Sequence, residues 1–474
     1  MRVLLVSPQS KVWSSPKLLP LGLAYIAATL ERAGHAVRIW DAVVESTPLE
    51  SVLAEGFDFV GVTATTPLIK EAWQAAETAH AAGARVVLGG AHPTLLPEES
   101  LAKPYVDFVI RGEGEDALVE LLANLEAPWS VQGLCYKDET GAVVCNPERP
   151  LRRDLDALPF PAHHLFPVER YSNLQPLTDG IIPNARAFTI LTSRGCPYGC
   201  IYCSKSISGR TWRPRSPESV VEEWHWLVHE QRATEIGVTD DVLNLQLDRV
   251  KRICRLLIDE GLNKVPWVTI HGIRADKTDA ELFQLMKKAG CKRVGFGVES
   301  GDQRILDIMK KQQTVDQVRE AFRLAKRAGL QTMGFFMFGL PGENEQSMDA
   351  TIRLAVELNP DLANFMITSP FPGTELYEMI LRDGQLFSHD WADFAIHDEK
   401  AHFAMGEVTA ELVERKWHEA YRRFYLRPSR ILRQAGKRDT WRNLPVYLAT
   451  AKRFLLDLQG STRRQGNTEK PPCP

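Results

Sequence analysis

Thr192-Ser-Arg-Gly-Cys-Pro-Tyr-Gly-Cys-Ile-Tyr-Cys203 places three cysteines, Cys196, Cys200 and Cys203, on one short loop directly after the apolar run Ala187 to Leu191. Three thiolates with this three-then-two spacing suit a [4Fe–4S] cube, which needs four ligands. The unfilled fourth position leaves one iron open, and an open iron can chelate a small molecule as well as carry electrons. Tetrahedral zinc is the competing interpretation, because Cys200 and Cys203 have CxxC spacing. It calls for a second ligand pair about a dozen or more residues onward, whereas Cys254 lies inside a helical pattern and Cys291 stands alone.

Composition sets the frame around this loop. A chain of 474 residues, 44% hydrophobic and 25% charged, can bury large cores and should hold about two or three domains. No apolar run approaches the roughly 18 residues of a membrane span. The remaining cysteines, Cys135, Cys145, Cys254, Cys291 and Cys473, are scattered singly, and Met1-Arg-Val-Leu-Leu-Val runs straight into a strand without a signal-peptide pattern. A reducing, cytoplasmic setting is expected. Cys135 and Cys145 flank Asp138-Glu-Thr-Gly141, which reads as a hairpin turn, and both are expected to stay free thiols. The net charge of −3 is unevenly spread: from Tyr421 onward there are 13 Lys/Arg against 3 Asp/Glu, so this tail carries +10 and the first 420 residues −13. Such a tail suits an anionic surface or substrate, or is a solvated helical face.

The first part of the chain alternates strand and helix patterns: strands at 2–6, 36–40, 59–63, 85–88 and 108–110, with helices at 21–33, 49–54 and 68–82. That alternation predicts an α/β fold with a doubly wound parallel sheet, whose ligand lies beyond the strand carboxyl ends. Those ends carry Ser7-Pro8, Asp41, Thr63-Ala-Thr65-Thr66-Pro67, Gly89-Gly90-Ala-His92-Pro-Thr94 and Gly112-Glu113-Gly-Glu115. Small residues let the backbone approach a bulky ligand and hydroxyls bond its polar edge; simple turn chemistry explains each loop separately. No GxGxxG follows the first strand, so a dinucleotide is not the favoured ligand.

Together with Pro20-Leu21-Gly22-Leu-Ala-Tyr25 and Ala33-Gly-His-Ala-Val37, these pieces resemble the flavodoxin-like cobalamin-binding domain of one large class of radical SAM enzymes, across almost all of residues 1–120. The resemblance implies that Ser7, Pro8, Leu21, Gly22, Asp41, Thr63, Thr65, Thr66, Gly89, Gly90, His92, Gly112 and Glu113 contact cobalamin, whose nucleotide tail lies at the sheet edge. One departure stands out. Where many cobalamin proteins carry an axial histidine in Asp-x-His-x-x-Gly, this chain reads Asp41-Ala-Val-Val-Glu-Ser46, so no imidazole is expected below the cobalt. His92 is the rival axial candidate, with a contact to the tail or corrin edge preferred.

After a Pro, Arg and Asp-rich linker, six strand–helix repeats run from 188 to 368 and predict a partial (β/α)6 barrel. The strand ends resemble radical SAM motifs in order and in register with CxxxCxxC. The resemblance puts Tyr202 beside adenine, Asp240 of Thr239-Asp-Asp241 at the methionine amino group and Arg274 at its carboxylate. Glu299 and Ser300 would lie at the ribose, and Gly339 of Gly334-Phe-Phe-Met-Phe-Gly339-Leu-Pro-Gly-Glu343 on the adenine-binding strand. It further implies that SAM chelates the open iron, and that one electron from a flavodoxin- or ferredoxin-type donor cleaves it to a 5′-deoxyadenosyl radical.

The expected domains are therefore 1–140 (cobalamin), 141–185 (linker), 186–400 (radical SAM) and 401–474 (helical extension with a disordered tail). In the extension, Arg422-Arg-Phe-Tyr-Leu-Arg-Pro-Ser-Arg-Ile-Leu-Arg433 mixes aromatic and basic residues, but no nucleic-acid module accompanies it and no nucleic-acid partner is expected. A substrate lid or a peripheral membrane edge are the alternatives for this segment. The resemblance implies methylation of an unactivated carbon or a phosphorus centre of a small molecule, lipid or peptide, with an oxidative cyclase or ring-rearranging enzyme as the alternative.

Overall fold

The computed structural model describes residues 1–9, 18–171, 185–394 and 399–436. In the first unit β1 (Arg2–Ser7), α1 (Leu21–Arg32), β2 (Ala36–Asp41), α2 (Leu49–Leu53), β3 (Phe59–Thr63), α3 (Ile69–Ala81), β4 (Arg85–Gly89), α4 (Ala91–Leu95), α5 (Pro97–Leu101), β5 (Phe108–Ile110) and α6 (Glu115–Ala123) follow in turn. The five strands are parallel, in the order β2-β1-β3-β4-β5. Strand β1 is apolar at every interior position because helices cover both faces. Val3 and Leu5 face a core shared with α1 and α6, and Leu4 and Val6 one shared with α3.

Two further strands, β6 (Leu134–Lys137) and β7 (Val143–Cys145), extend this sheet antiparallel beyond β5. The sheet therefore runs on to Cys145, since the Asp138–Gly141 turn is the middle of a hairpin. The Asp138 carboxylate accepts the N–H groups of Thr140 and Ala142, which tightens that turn. Cys135 and Cys145 thereby face each other across the ladder and form a disulfide. The expectation of free thiols at these two positions is corrected: the short turn makes them a direct cross-strand pair.

Residues 146–171 lead to the barrel with only two single-turn helices, at 163–165 and 168–170. His163 is buried there, edge-on to Phe188 and stacked on Trp226. The barrel begins with β8 (Ala187–Ile190). The short strands β9 (Ser193–Arg194) and β10 (Arg213–Pro214) then pair antiparallel and pinch the cysteine loop at its base. Next come α7 (Pro217–His229), β11 (Glu235–Val238), α8 (Leu247–Asp259), β12 (Trp267–Thr269), α9 (Ala280–Lys288), β13 (Cys291–Glu299), α10 (Gln303–Ile308), α11 (Val315–Arg327), β14 (Gln331–Phe338), α12 (Glu345–Leu358) and β15 (Leu362–Ile367). Six parallel strands lie side by side in sequence order, β8-β11-β12-β13-β14-β15. The helices that connect them are amphipathic: α11 starts at a Thr314–Gln317 capping box and buries Val318, Ala321, Phe322 and Ala325, one stripe at helical spacing.

The C-terminal part is less separate than its sequence suggests. Helix α13 (Glu375–Asp383) leads to β16 (Gln385–Leu386), which pairs with β17 (Phe403–Ala404); α14 (Ala410–Tyr425) and α15 (Pro428–Ala435) follow. Helix α14 lies along the free edge of β15. Its Tyr425 hydroxyl donates to Ala363 O (2.7 Å) and accepts from Ala363 N (3.0 Å), Trp417 donates to Phe365 O (2.9 Å), and the Tyr421 hydroxyl accepts from Phe365 N (3.4 Å). It is a side wall of the barrel and not a lid. The rest of the expected helical extension, beyond residue 436, and its tail lie outside the described residues. Among the described residues no helix is long and apolar enough to cross a membrane.

Candidate active site between the two units

The cysteine loop is held from several directions. Gly195 has φ +82, and a β-carbon there would run into the Thr211 and Ser208 carbonyls, so only glycine fits this turn into Cys196. Its N–H donates to Asp241 (3.0 Å). Lys205 reaches back across the loop and donates to the carbonyls of Cys196 (2.9 Å) and Tyr198. Ile201 bonds the Met309 carbonyl and receives Leu376 N–H on its own. Cys196 and Cys200 are partly exposed and Cys203 exposed, all three as free thiols. Among the described residues no three His, Cys, Asp or Glu side chains converge around a single ion; the sulfurs of a cubane site hold different irons and need no such convergence.

Strand-end residues surround that loop. Tyr202 donates to Glu299 Oε1 (3.2 Å), which also receives Lys311 Nζ (2.7 Å). Burial works to lower the Lys311 ammonium, but the charges of Glu299 and Cys200 together outweigh it and raise it. Glu299, Lys310 and Gln312 all have left-handed backbone, with φ of 64, 56 and 54. Non-glycine residues held so cost about 1–3 kcal/mol each and gather where function requires them. Arg274 holds the 310–312 turn in place by donating to the Lys311 and Gln312 carbonyls (both 2.8 Å), and its guanidinium stacks 3.5 Å from the Tyr198 ring centroid. Gly339 has φ +85, and its N–H, with that of Leu340, donates to Glu343 Oε2 (2.8 and 2.9 Å). Burial pushes the Glu343 carboxyl up to about 8.

Three expected SAM contacts are committed to other partners, Arg274 among them, since its Nε also donates to Asp276 Oδ1 (2.7 Å). Asp240 is fully buried and accepts from Thr192 N (2.6 Å), Thr192 Oγ1 (2.5 Å) and Ser193 Oγ (2.6 Å). Both of its oxygens anchor the start of the cysteine loop, while its exposed neighbour Asp241 faces the loop interior. Ser300 is likewise buried, against Thr351 Oγ1 (3.3 Å) and Asp302 N (3.2 Å), where it turns the chain out of β13. Lys311, Tyr198 and Lys205 were not anticipated. Lys311 sits in the run Lys310-Lys-Gln-Gln313, which reads as a solvated surface, and only the left-handed turn reveals that it points inward.

At the carboxyl ends of β3, β4 and β5 lies a cavity of about 370 Å³. Gly22, Thr63, Thr65, Gly89, Gly90, Gly112 and Glu113 line it. Gly90, with φ +97, has no room for a β-carbon, which would stand 2.6 Å from Ala64 O. The barrel unit supplies the rest of the wall through Leu191, Arg194, Ile207 and Ser208. A second, polar cavity of about 360 Å³ shares Gly112, Glu113, Glu115, Arg194 and Ile207 with the first and continues along the back of the cysteine loop.

Ser7, Pro8, Leu21, Asp41, Thr66 and His92 lie outside the first cavity's wall. Asp41 is buried under the linker, where Tyr171 Oη donates to Oδ2 (2.8 Å). His92 is fully buried on the far side of its loop. Its Nε2 is 3.2 Å from Glu99, and its ring meets Trp391 edge-on. Asp41 is thus held by Tyr171, 130 residues onward, and His92 by its near neighbour Glu99 and the distant Trp391.

Comparison with known proteins agrees with this geometry. Residues 15–122 match the B12 binding domain and residues 190–355 the radical SAM superfamily. An uncharacterised methyltransferase of Pyrococcus horikoshii is 34% identical over 450 residues, covering 91% of this chain and 94% of that one. An anaerobic magnesium-protoporphyrin IX monomethyl ester cyclase of Cereibacter sphaeroides is 31% identical over 427 residues, covering 86% and 67%. The fold is shared with the radical S-adenosylmethionine methyltransferase TsrM of Kitasatospora setae, solved with cobalamin and a [4Fe–4S] cluster. The TM-score is 0.70 at 19% identity, over 90% of this chain and 89% of that one. The chain belongs to the cobalamin-dependent radical SAM enzymes. Its cofactors are a [4Fe–4S] cluster, S-adenosylmethionine and cobalamin. The residues present fit them: three free thiols sit on one loop, and a glycine-lined hollow lies where Cβ atoms are missing.

Proposed function

We propose that the protein transfers a methyl group to an unactivated carbon, or to phosphorus, of a small-molecule, lipid or peptide substrate. Cys196, Cys200 and Cys203 would hold the cluster, and Tyr202, Glu299, Lys311 and Gly339 would bind the SAM that its open iron chelates. The glycine-lined cavity takes cobalamin. Bound there, the cofactors supply one-electron cleavage of SAM and a transferable methyl group, and the protein's part is to place them and exclude water. The observation that carries this reading is the shared wall: Arg194, Ile207 and Ser208 of the cysteine loop close the cavity formed by the strand ends of the other unit. Chemistry begun at one cofactor can then end at the other without a diffusing intermediate.

Around the loop each residue has a mechanical task. Lys205 and Asp241 fix the loop's curvature, Asp240 its root, and Arg274 joins Tyr198 to the strained turn that presents Lys311. A flavodoxin- or ferredoxin-type donor in the cytoplasm fits the low-potential electron this site requires. Similarity to the ester cyclase favours a second reading, in which the same cofactors remove hydrogens to close a ring. SAM with a labelled methyl group distinguishes them. Methyl transfer carries label into product with a gain of CH2, whereas a product that has lost hydrogens and carries no label overturns it in favour of cyclisation.

A further inference from the structure

Glu113 and Arg194 stand where the two cavities meet, and they come from different units. Glu113 lies in the loop after β5. Arg194 immediately precedes Gly195 and Cys196, and Arg213 faces it across the β9–β10 ladder. Arg194 donates to Glu113 Oε1 (3.0 Å) and to Glu115 Oε1 (2.7 Å); Arg213 donates to both oxygens of Glu113 (each 2.9 Å). The four side chains are between 3% and 9% exposed, and their charges balance. Arg213 also donates to the carbonyls of Arg152 in the linker and Ser208 in the loop (2.7 and 2.9 Å), and Arg194 lies 5.2 Å over the Tyr25 ring of α1.

A buried ion cluster is an inefficient way to gain stability, because desolvating the charges offsets their attraction. What guanidinium–carboxylate pairs supply well is direction, since two parallel N–H donors fix distance and angle together. On the far side of the interface the units also meet through Lys70 and Asp390, whose side chains are 47% and 42% exposed; such pairs contribute little and hold no fixed geometry.

We propose that the Arg194–Glu113–Arg213 cluster, completed by Glu115, is a positioning device that sets the spacing and angle between the glycine-lined cavity and the cysteine loop. The proposal rests on the cofactor placement given above. It is tested in anaerobically loaded full-length protein, reduced so that cobalt and cluster are both paramagnetic, by measuring the dipolar interaction between the two spins. Arg213 lines neither cavity: Arg213→Lys keeps the charge and loses the fork, Arg213→Gln removes the charge, and Asp390→Asn is the exposed control. Both cofactors should load at wild-type stoichiometry in all three. The spread of interspin distances should at least double in both Arg213 variants and remain unchanged in Asp390→Asn. A purely stabilising role would lower the unfolding temperature and leave that spread alone, which overturns the proposal. If Arg213→Gln does not fold, Arg213→Lys decides. Absence of any spin interaction in the wild type would instead refute the cofactor placement.

Discussion

Gly22→Leu separates a cavity meant for a ligand from a packing defect. Gly22 is the second residue of α1, lines the cavity, and a β-carbon there would meet no protein atom within 4 Å. Leucine is the better helix former by about 1 kcal/mol, so the cofactor-free protein should be no less stable and melt about 1 °C higher. The new side chain would project into a space of about 370 Å³. A cobalamin that fills this space meets four extra carbons, and overpacking of this kind costs about 1–3 kcal/mol, or about 5- to 150-fold in dissociation constant. Titration of the apo-protein with hydroxocobalamin, followed in the visible band, reads the affinity; a thermal melt and an iron count on the same preparation read fold and cluster. The expected pattern is weakened cobalamin uptake with melting temperature and iron maintained. Affinity within twofold of wild type in a folded variant refutes the assignment of the cavity, and so does a fall in affinity that merely tracks a lower melting temperature.

Asp240→Asn should leave cobalamin uptake intact and lower bound iron at least threefold, because the buried carboxylate ties Thr192 and Ser193 to the base of the cysteine loop; iron and cobalt analysis of one sample checks this. His163 has its titration lowered from 6.5 to about 3 by burial. The unfolded chain therefore takes up a proton below pH 6.5 that the fold refuses, and stability falls between pH 6.5 and 3; His163→Phe should flatten that limb of the melting-temperature profile. Glu343 behaves oppositely. Burial raises it from 4.5 to about 8, so the fold holds a proton that the unfolded chain releases, and its contribution is complete below pH 4.5 and lost as pH rises to 8. Glu343→Gln should remove this alkaline decline, which thermal melts at pH 5 and pH 9 would reveal.

What could be read from the sequence was local in origin. The period of strand and helix acts over a few residues, so the parallel sheet and the six-strand barrel lie where the pattern puts them, and the strand-end glycines line one cavity. Failures occurred where a distant partner decides. Asp41 is claimed by Tyr171, 130 residues onward, and the Glu99 that bonds His92 is held by Trp391, 292 residues onward. Helix α6, absent from the expected helices, begins at Glu115, inside the stretch whose glycines read as a ligand loop. The Cys135–Cys145 pair was visible as a hairpin, yet free thiols were expected on grounds of compartment, which says nothing about register.

The hydroxyls of α14 bear on how the chain behaves among its own copies. A crescent of six strands ends in a row of unsatisfied amides, and such a border recruits any extended segment that passes. Trp417, Tyr421 and Tyr425 occupy that border at Ala363 and Phe365 with ring-borne donors and acceptors in place of a seventh strand. A fragment cut off before residue 410, even with both cofactor sites intact, would present β15 bare and should oligomerise by strand addition.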